Sequence, residues 1–296
     1  MSATIIQPAT ARRQRSQLAV PASNPRFIDK AAQSAADVIF LDLEDAVAPD
    51  AKSSARANIH NALGSGFGHR EAVVRINGLN TPWGLDDLKV FAHSNADAIV
   101  LPKVESASQI QVLAERLKEL NPSHHLTIWA MIETPMAFFK LPEICSAHPL
   151  LETLVLGTSD LVKDLHARHT PSRTETLTAL SLSVLAARAH QLCVLDGVHL
   201  ALDDDAGLRS SCIQGRDMGF DGKTLIHPNQ IKVANEIFGP SAAEIEEAQQ
   251  RIAAYETAIQ SGAGIAVLNG KLIEELHIQD AKRILALAEA IDSFQR

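Results

Sequence analysis

Eight short runs rich in Val, Ile and Leu alternate with eight amphipathic stretches along most of this 296-residue chain. That alternation limits the fold more than any other feature. The strand-like runs are Gln17–Pro21, Val38–Leu43, Ala72–Ile76, Ala98–Pro102, Leu126–Ile132, Leu154–Leu156, Leu192–Val198 and Lys223–Ile226. Between and after them the helical stretches fall at Arg26–Ala35, Lys52–Leu63, Gly84–Ala92, Ser106–Leu120, Met136–Cys145, Glu175–His190, Asp205–Met218 and Gln230–Phe238. Strand–helix alternation implies a parallel sheet, and eight repeats close an α/β (β/α)8 barrel of the TIM type. A flat doubly wound sheet is the alternative. It normally carries an early glycine-rich phosphate loop, which Pro21-Ala-Ser-Asn-Pro25 is not. Aromatics make up only 4% of the chain, so aliphatic side chains must fill its core.

Helix punctuation fits the same plan. Asp50 is placed to cap a helix from Ala51, Ser106 to cap the fourth helix, and Thr81-Pro82 and Pro228-Asn229 to open two more. Beyond Gly239 the pattern changes to a helix over Ser241–Gln260, a glycine break at Ser261–Gly264, a hairpin turning at Asn269-Gly270, and a last helix over Ile278–Ile291. The expected organisation is a flexible tail over 1–14, a barrel over 15–238, and a small C-terminal helix–hairpin–helix appendage over 239–296.

The net charge of −8 argues against a nucleic-acid partner. No run approaches the ~18 apolar residues of a membrane span, and the N-terminal stretch lacks the apolar core of a secretory signal. Cys145, Cys193 and Cys212 are widely spaced, with no C-x-x-C pair. They read as small buried hydrophobes of a protein kept in a reducing compartment, the cytoplasm.

The chemistry is expected where the strands end, because a parallel barrel gathers those tips into one mouth. The second strand ends Leu41-Asp-Leu-Glu44-Asp45, the third Val74-Arg75-Ile-Asn77, the fourth Leu101-Pro-Lys103, the fifth at Glu133 and the sixth at Asp160. Glu133 and Asp160 on successive strands suit a hard divalent cation with open positions for an anionic substrate. Two oxygen ligands and no adjacent histidine favour Mg2+ over Zn2+. The plainer alternative makes both acids helix caps or first-turn residues. Arg75 within an apolar strand calls for an anionic partner, either substrate or Glu44 and Asp45. Lys103 is a Schiff-base candidate or, more simply, a salt-bridge partner of Glu105 or another acid. His199 and His227 are further mouth candidates.

In order along the chain, Val20-Pro-Ala-Ser-Asn-Pro-Arg26, Leu41-Asp-Leu-Glu-Asp-Ala-Val47, Val74-Arg-Ile-Asn77, Leu101-Pro-Lys-Val-Glu105, Ile132-Glu-Thr-Pro135, Gly157-Thr-Ser-Asp-Leu161 and Lys223-Thr-Leu-Ile-His-Pro228 resemble the citrate lyase β-subunit-like proteins. These CoA-ester lyases belong to the HpcH/HpaI aldolase superfamily. The resemblance runs from about Arg15 to the C-terminus and implies a TIM barrel, bound Mg2+, CoA as part of the substrate, and a homotrimer or homohexamer whose appendage packs on a neighbouring subunit. It further implies Glu133 and Asp160 as Mg2+ ligands, Arg75 on the substrate carboxylate and developing oxyanion, and Glu44 and Asp45 as acids around them. Amides of Gly157, Thr158 and Ser159 would hold a keto-acid carboxylate, and Arg15 would approach the CoA. Relatives carry an aspartate in the appendage turn where this chain has Glu274; the resemblance makes Glu274 either an acid–base candidate of altered reach or the mark of a different acyl group, lost hydrolysis or weakened activity.

The activity implied is Mg2+-dependent carbon–carbon cleavage of a short 3-hydroxy-dicarboxylyl-CoA thioester (citramalyl-CoA, malyl-CoA or citryl-CoA) to acetyl-CoA and a 2-keto acid. The alternatives are a malyl-CoA thioesterase, a CoA-independent keto-acid aldolase, and a non-catalytic subunit of a lyase complex.

Overall fold

The computed structural model describes residues 13–260 and 265–295. The tail expected over 1–14 therefore lies almost wholly outside the described residues, as does the glycine break at 261–264. The described residues divide into two units, one over Gln14–Phe238 and one from Gly239 onward.

In the first unit the strands are β1 (Ser16–Pro21), β2 (Val38–Asp42), β3 (Glu71–Arg75), β4 (Ala98–Leu101), β5 (Thr127–Ile132), β6 (Leu151–Leu156), β7 (Cys193–Asp196) and β8 (Gly222–Leu225). All pair in parallel, in sequence order, and β8 pairs back onto β1 to close the barrel. The helices are α1 (Pro25–Ala32), α2 (Lys52–Ser65), α3 (Gly84–Phe91), α4 (Ala107–Leu120), α5 (Pro135–Phe139), α6 (Leu141–Cys145), α7 (Thr158–Asp164), α8 (Leu177–Ala189), α9 (Asp205–Met218) and α10 (Ile231–Phe238).

The two-residue period of the strands explains why this sequence closes. Val38, Phe40, Val73, Ala98, Val100, Trp129, Met131, Val155 and Leu195 form one buried cluster that no helix joins: the barrel interior. Their neighbours Ile39, Leu41, Val74, Ile99, Ile128, Ala130, Leu154 and Val194 face outward, into a second cluster shared with helix residues such as Ile59, Leu88, Leu113 and Leu208. A strand buried on both faces must read as a continuous apolar run, and these do.

Local differences from expectation have local causes. Asp50 is not a cap; it lies in a 3-10 turn, Pro49–Ala51, that leads into α2. Ser106 does cap α4, in a reciprocal capping box with Gln109. The single helix expected over Met136–Cys145 is two short ones meeting at Lys140, because Pro142 opens a new first turn instead of continuing the old one. The helical stretches include none directly after β6, yet α7 starts there and puts Asp160 in its first turn, as the plainer alternative for that acid has it.

A buried charge cluster braces β7 and β8. The fully buried Lys223 ammonium donates to Asp196 Oδ2 at 2.8 Å, and Arg173 pairs with Asp196 Oδ1. Burial alone would raise the Asp196 carboxyl, but Lys223 and Arg173 hold it below its ordinary 3.8. Replacing Asp196 with Asn strands two cations and is expected to cost about 3–5 kcal/mol in urea unfolding at pH 7. Because the folded-state value is depressed, that deficit shrinks as the pH falls below about 4.

The second unit contains α11 (Ala242–Gln260), the hairpin β9 (Ala266–Leu268) and β10 (Lys271–Ile273), and α12 (Glu275–Gln295). Leu268 pairs with Lys271 across a turn in which Asn269 (φ 51°) and Gly270 (φ 75°) are both left-handed, the geometry an Asn-Gly hairpin prefers. Ala266, Ile273 and Ile278 form its small core, against Ile252, Tyr255 and Leu268. Among the described residues, no helix is long and apolar enough to cross a membrane.

Candidate active site

The inward-facing register of the barrel continues one step past its apolar plug, and there it turns polar. Two residues beyond Phe40 is Asp42; beyond Val73, Arg75; beyond Met131, Glu133; beyond Val155, Gly157; beyond Leu195, Gly197. This layer lies at the C-terminal ends of the strands, where barrels of this type build their sites.

Arg75 is the centre of its charge network. Asp42, its register partner across β2 and β3, accepts Arg75 Nε and Nη2, each at 2.6 Å. Arg75 Nη1 lies 3.1 Å from Glu44 Oε2 and 4.0 Å from Asp45, and the guanidinium stands 5.5 Å over the Phe40 ring. The expected pairing with Glu44 is present, and the bidentate partner is a further acid, Asp42. Asp42 also accepts the N–H groups of Glu44 (2.8 Å) and Ala46 (3.2 Å), so one carboxylate shapes the acidic loop and holds the arginine. Lys52 clamps that loop from α2, donating to the carbonyls of Leu43 and Glu44 at 2.8 and 2.7 Å. Burial outweighs the pull of Arg75 and Lys103 at Glu44, raising its carboxyl.

Lys103 joins the acids. Its ammonium reaches Glu44 Oε1 at 2.5 Å and Asp45 Oδ1 at 3.3 Å, so it is an ion-pair partner, and of different acids from Glu105. These acids hold it protonated, its basicity raised, which disfavours a Schiff base.

Glu133 is 1% exposed. Its Oε1 accepts the Lys103 main-chain N–H at 2.8 Å. Burial pushes its carboxyl up to about 7, more than Arg75 and the Lys103 N–H can offset. It is not a helix cap: Thr134 caps α5, its side chain accepting the Ala137 N–H. Glu133 packs against Gly157, where a Cβ would lie 2.4 Å from both Glu133 Cβ and Oε2, so only glycine admits this carboxylate.

Gly157 opens α7, and Asp160 sits in that helix's first turn, 3.5 Å from the exposed Lys163 ammonium. An exposed pair of this kind contributes little. No side chain caps α7, which leaves its first-turn N–H groups without a side-chain acceptor. The Gly157 N–H itself is committed to Ile132 O at 3.1 Å. Thr158 is buried, its hydroxyl where a Cβ on Gly197 would fall (2.2 Å), so a ligand there would meet main-chain N–H groups of Thr158–Asp160 and not the Thr158 side chain.

Two expected residues lie elsewhere. Arg15 precedes β1, at the end of the barrel away from the mouth. Its guanidinium binds Asp37 through Nε at 2.8 Å and Nη2 at 2.9 Å, and reaches Asn235 O at 3.4 Å. A substrate-contacting role for Arg15 is therefore corrected to a structural one. Glu274 belongs to the second unit, exposed just ahead of α12, its N–H donated to His277 Nδ1 at 3.0 Å. Of the histidines, His199 stands 3.6 Å from Asp204, and His227 accepts the Asn229 N–H at 3.2 Å.

Among the described residues no cluster of three metal-ligating side chains occurs. The mouth instead offers a buried, undercompensated carboxylate packed on the glycine that opens the helix carrying Asp160. Carboxylate oxygens as the donor set fit Mg2+, which characteristically binds through one or two carboxylates plus water and substrate.

An eight-stranded parallel barrel with acids and one fixed arginine at its mouth has the layout of a barrel enzyme, whose site lies at the C-terminal strand ends. Residues 15–228 match the family described as HpcH/HpaI aldolase/citrate lyase, and the chain belongs to that family. It is 49% identical over 281 residues to a (3S)-malyl-CoA thioesterase of Cereibacter sphaeroides, covering 95% of this chain and 96% of the relative. It is 34% identical to the L-malyl-CoA/beta-methylmalyl-CoA lyase of Rhodobacter capsulatus, at 95% and 96% coverage. The crystal structure of CitE from Mycobacterium tuberculosis in complex with magnesium, acetoacetate and coenzyme A superposes with a TM-score of 0.77 at 30% identity, covering 94% of this chain and 99% of that one.

Proposed function

We propose that this protein is a Mg2+-dependent enzyme acting on a malyl-CoA-type thioester, with hydrolysis to the hydroxy-diacid and free CoA as its net reaction. The observation that carries the metal and the anionic substrate is the mouth itself: Glu133, too buried for its charge to be balanced by neighbours, beside the helix bearing Asp160 and with Arg75 in the same polar layer. The choice of hydrolysis rests on the 49% identity to a malyl-CoA thioesterase along nearly the whole chain.

Glu133 and Asp160 would hold Mg2+, which when bound supplies positive charge to an oxygen of the substrate. The chain's own residues do the rest. Asp42 takes two of the Arg75 donors and thereby fixes the guanidinium; Nη1 meets Glu44 Oε2 at 3.1 Å and Met131 Sδ at 3.3 Å, and a substrate oxygen on which negative charge develops would share or displace these contacts. First-turn amides of α7 receive a substrate carboxylate. Glu44 and Asp45 keep Arg75 and Lys103 charged and in place. Glu274 of the second unit is the acid–base candidate, which would serve the active site of a neighbouring subunit. The thioester supplies the reactivity, and the protein supplies placement.

Purified protein with Mg2+ and (3S)-malyl-CoA is expected to release thiol and malate in equal amounts, with no glyoxylate. Carbon–carbon cleavage is the second reading, favoured by the 34% identity to a malyl-CoA lyase; acetyl-CoA and glyoxylate in place of thiol would establish it instead. Absence of both product pairs from malyl-, citramalyl- and citryl-CoA would overturn the proposal.

A further inference from the structure

Lys103 has a backbone that its side chain does not favour. Its φ is 50°, in the left-handed region, although it is not glycine. Such a conformation persists only where the surroundings over-determine it, and it concentrates at functional sites. Here the gain is visible. The Lys103 N–H leaves the strand ladder and donates to Glu133 Oε1 at 2.8 Å, while the next residue resumes pairing, the Val104 N–H reaching Met131 O at 3.2 Å. The turn is held from α4 as well: Gln109 Nε2 donates to Lys103 O at 3.3 Å, and Gln109 Oε1 accepts the N–H groups of Glu105 and Ser106 at 2.7 and 3.0 Å. Meanwhile the Lys103 ammonium holds Glu44 Oε1, whose partner oxygen lies 3.1 Å from Arg75 Nη1. One residue therefore grips the β5 carboxylate with its main chain and the β2 acidic loop with its side chain.

We propose that Lys103 is a positioning residue with two separable roles: its left-handed main chain aims the Glu133 carboxylate for Mg2+, and its ammonium keeps Glu44 turned onto Arg75. The first role rests on the metal site proposed above. Neither role places Lys103 in contact with substrate.

Glycine accepts φ near 50° without a side chain, whereas a β-branched residue resists it. Lys103→Gly should thus keep the N–H contact and lose the ammonium, and Lys103→Val should lose both. Titration calorimetry with Mg2+ on the full-length, metal-free protein separates them. Lys103→Gly is expected to bind Mg2+ within about threefold of wild type, and Lys103→Val about 10–100-fold more weakly, the usual range for a lost ligand-orienting partner. On the thioester, Lys103→Gly is expected to lose about tenfold or more in kcat/KM, and Lys103→Arg to recover most of it. If Lys103→Val fails to fold, Lys103→Ala strains the same turn less and is expected to bind Mg2+ with intermediate affinity. A folded Lys103→Val (or, in its place, Lys103→Ala) with wild-type Mg2+ affinity overturns the main-chain role, and Lys103→Gly with wild-type kcat/KM overturns the side-chain role. Glu133→Gln binding Mg2+ as tightly as wild type would remove the metal site itself, and the main-chain role with it, while leaving the side-chain role to the kinetic comparison.

Discussion

Replacing Arg75 with methionine is expected to lower kcat/KM about 10³-fold and to destabilise the fold by about 3–5 kcal/mol at the same time. Both effects have one origin. Asp42 is 3% exposed and depends on Arg75 for two of its hydrogen bonds, so removing the guanidinium leaves a buried carboxylate without its counter-charge. The same change removes the donor at Nη1 that is assigned to the developing oxyanion. Lysine separates the two losses. It restores a positive charge near Asp42 and with it part of the stability, but a point charge cannot span Asp42 and the substrate together, so kcat/KM should stay depressed about 10²-fold. Urea unfolding and steady-state kinetics on both variants read the two quantities independently. An Arg75→Lys enzyme with wild-type kcat/KM would falsify the role given to the fork of Arg75.

Glu133→Gln is expected to abolish Mg2+ binding and activity while making the metal-free protein more stable. Burial lifts the Glu133 carboxyl from 4.5 to about 7 in the folded state. A group raised in this way contributes nothing unfavourable below pH 4.5, where it is protonated in both states, and its cost grows as the pH rises to about 7. Glutamine carries no such cost and keeps an oxygen for the Lys103 N–H. The metal-free variant should therefore match wild type at pH 4 and exceed it by up to about 3 kcal/mol at pH 8, at 1.36 kcal/mol for each pKa unit. Saturating Mg2+ should reverse the order at pH 8, because only wild type gains from the ion. A glutamine variant less stable than wild type without metal would mean that Glu133 is a structural residue.

Most of the barrel is legible in the sequence because each strand is buried on both faces and must read as an apolar run, and because amphipathic helices separate those runs. Helix α7 is not legible for the opposite reason. Its seven residues follow β6 without a loop, and Thr158-Ser-Asp160 shows no apolar period. That same gap hides the fact that Asp160 lies one helical turn beyond the strand tip and not on it. The Asp42–Arg75 pair was within reach: Asp42 continues the inward alternation of Val38 and Phe40, and in-register pairing of β2 with β3 sets it beside Arg75. The position of Arg15 is legible as well, since it precedes its strand and a parallel barrel sends that end away from the mouth. The left-handed turn at Lys103 has no signature in residue type, because Lys is an ordinary choice for neither a turn of this kind nor a carboxylate-orienting N–H.

Anomalous diffraction from crystals of the full-length protein soaked in Mn2+, a surrogate for Mg2+, tests the central claim most directly. The account predicts one strong peak within about 2–2.5 Å of carboxylate oxygens from both Glu133 and Asp160. A peak bound elsewhere, with Glu133 still directed only at the Lys103 N–H and Asp160 still paired with Lys163, would contradict it.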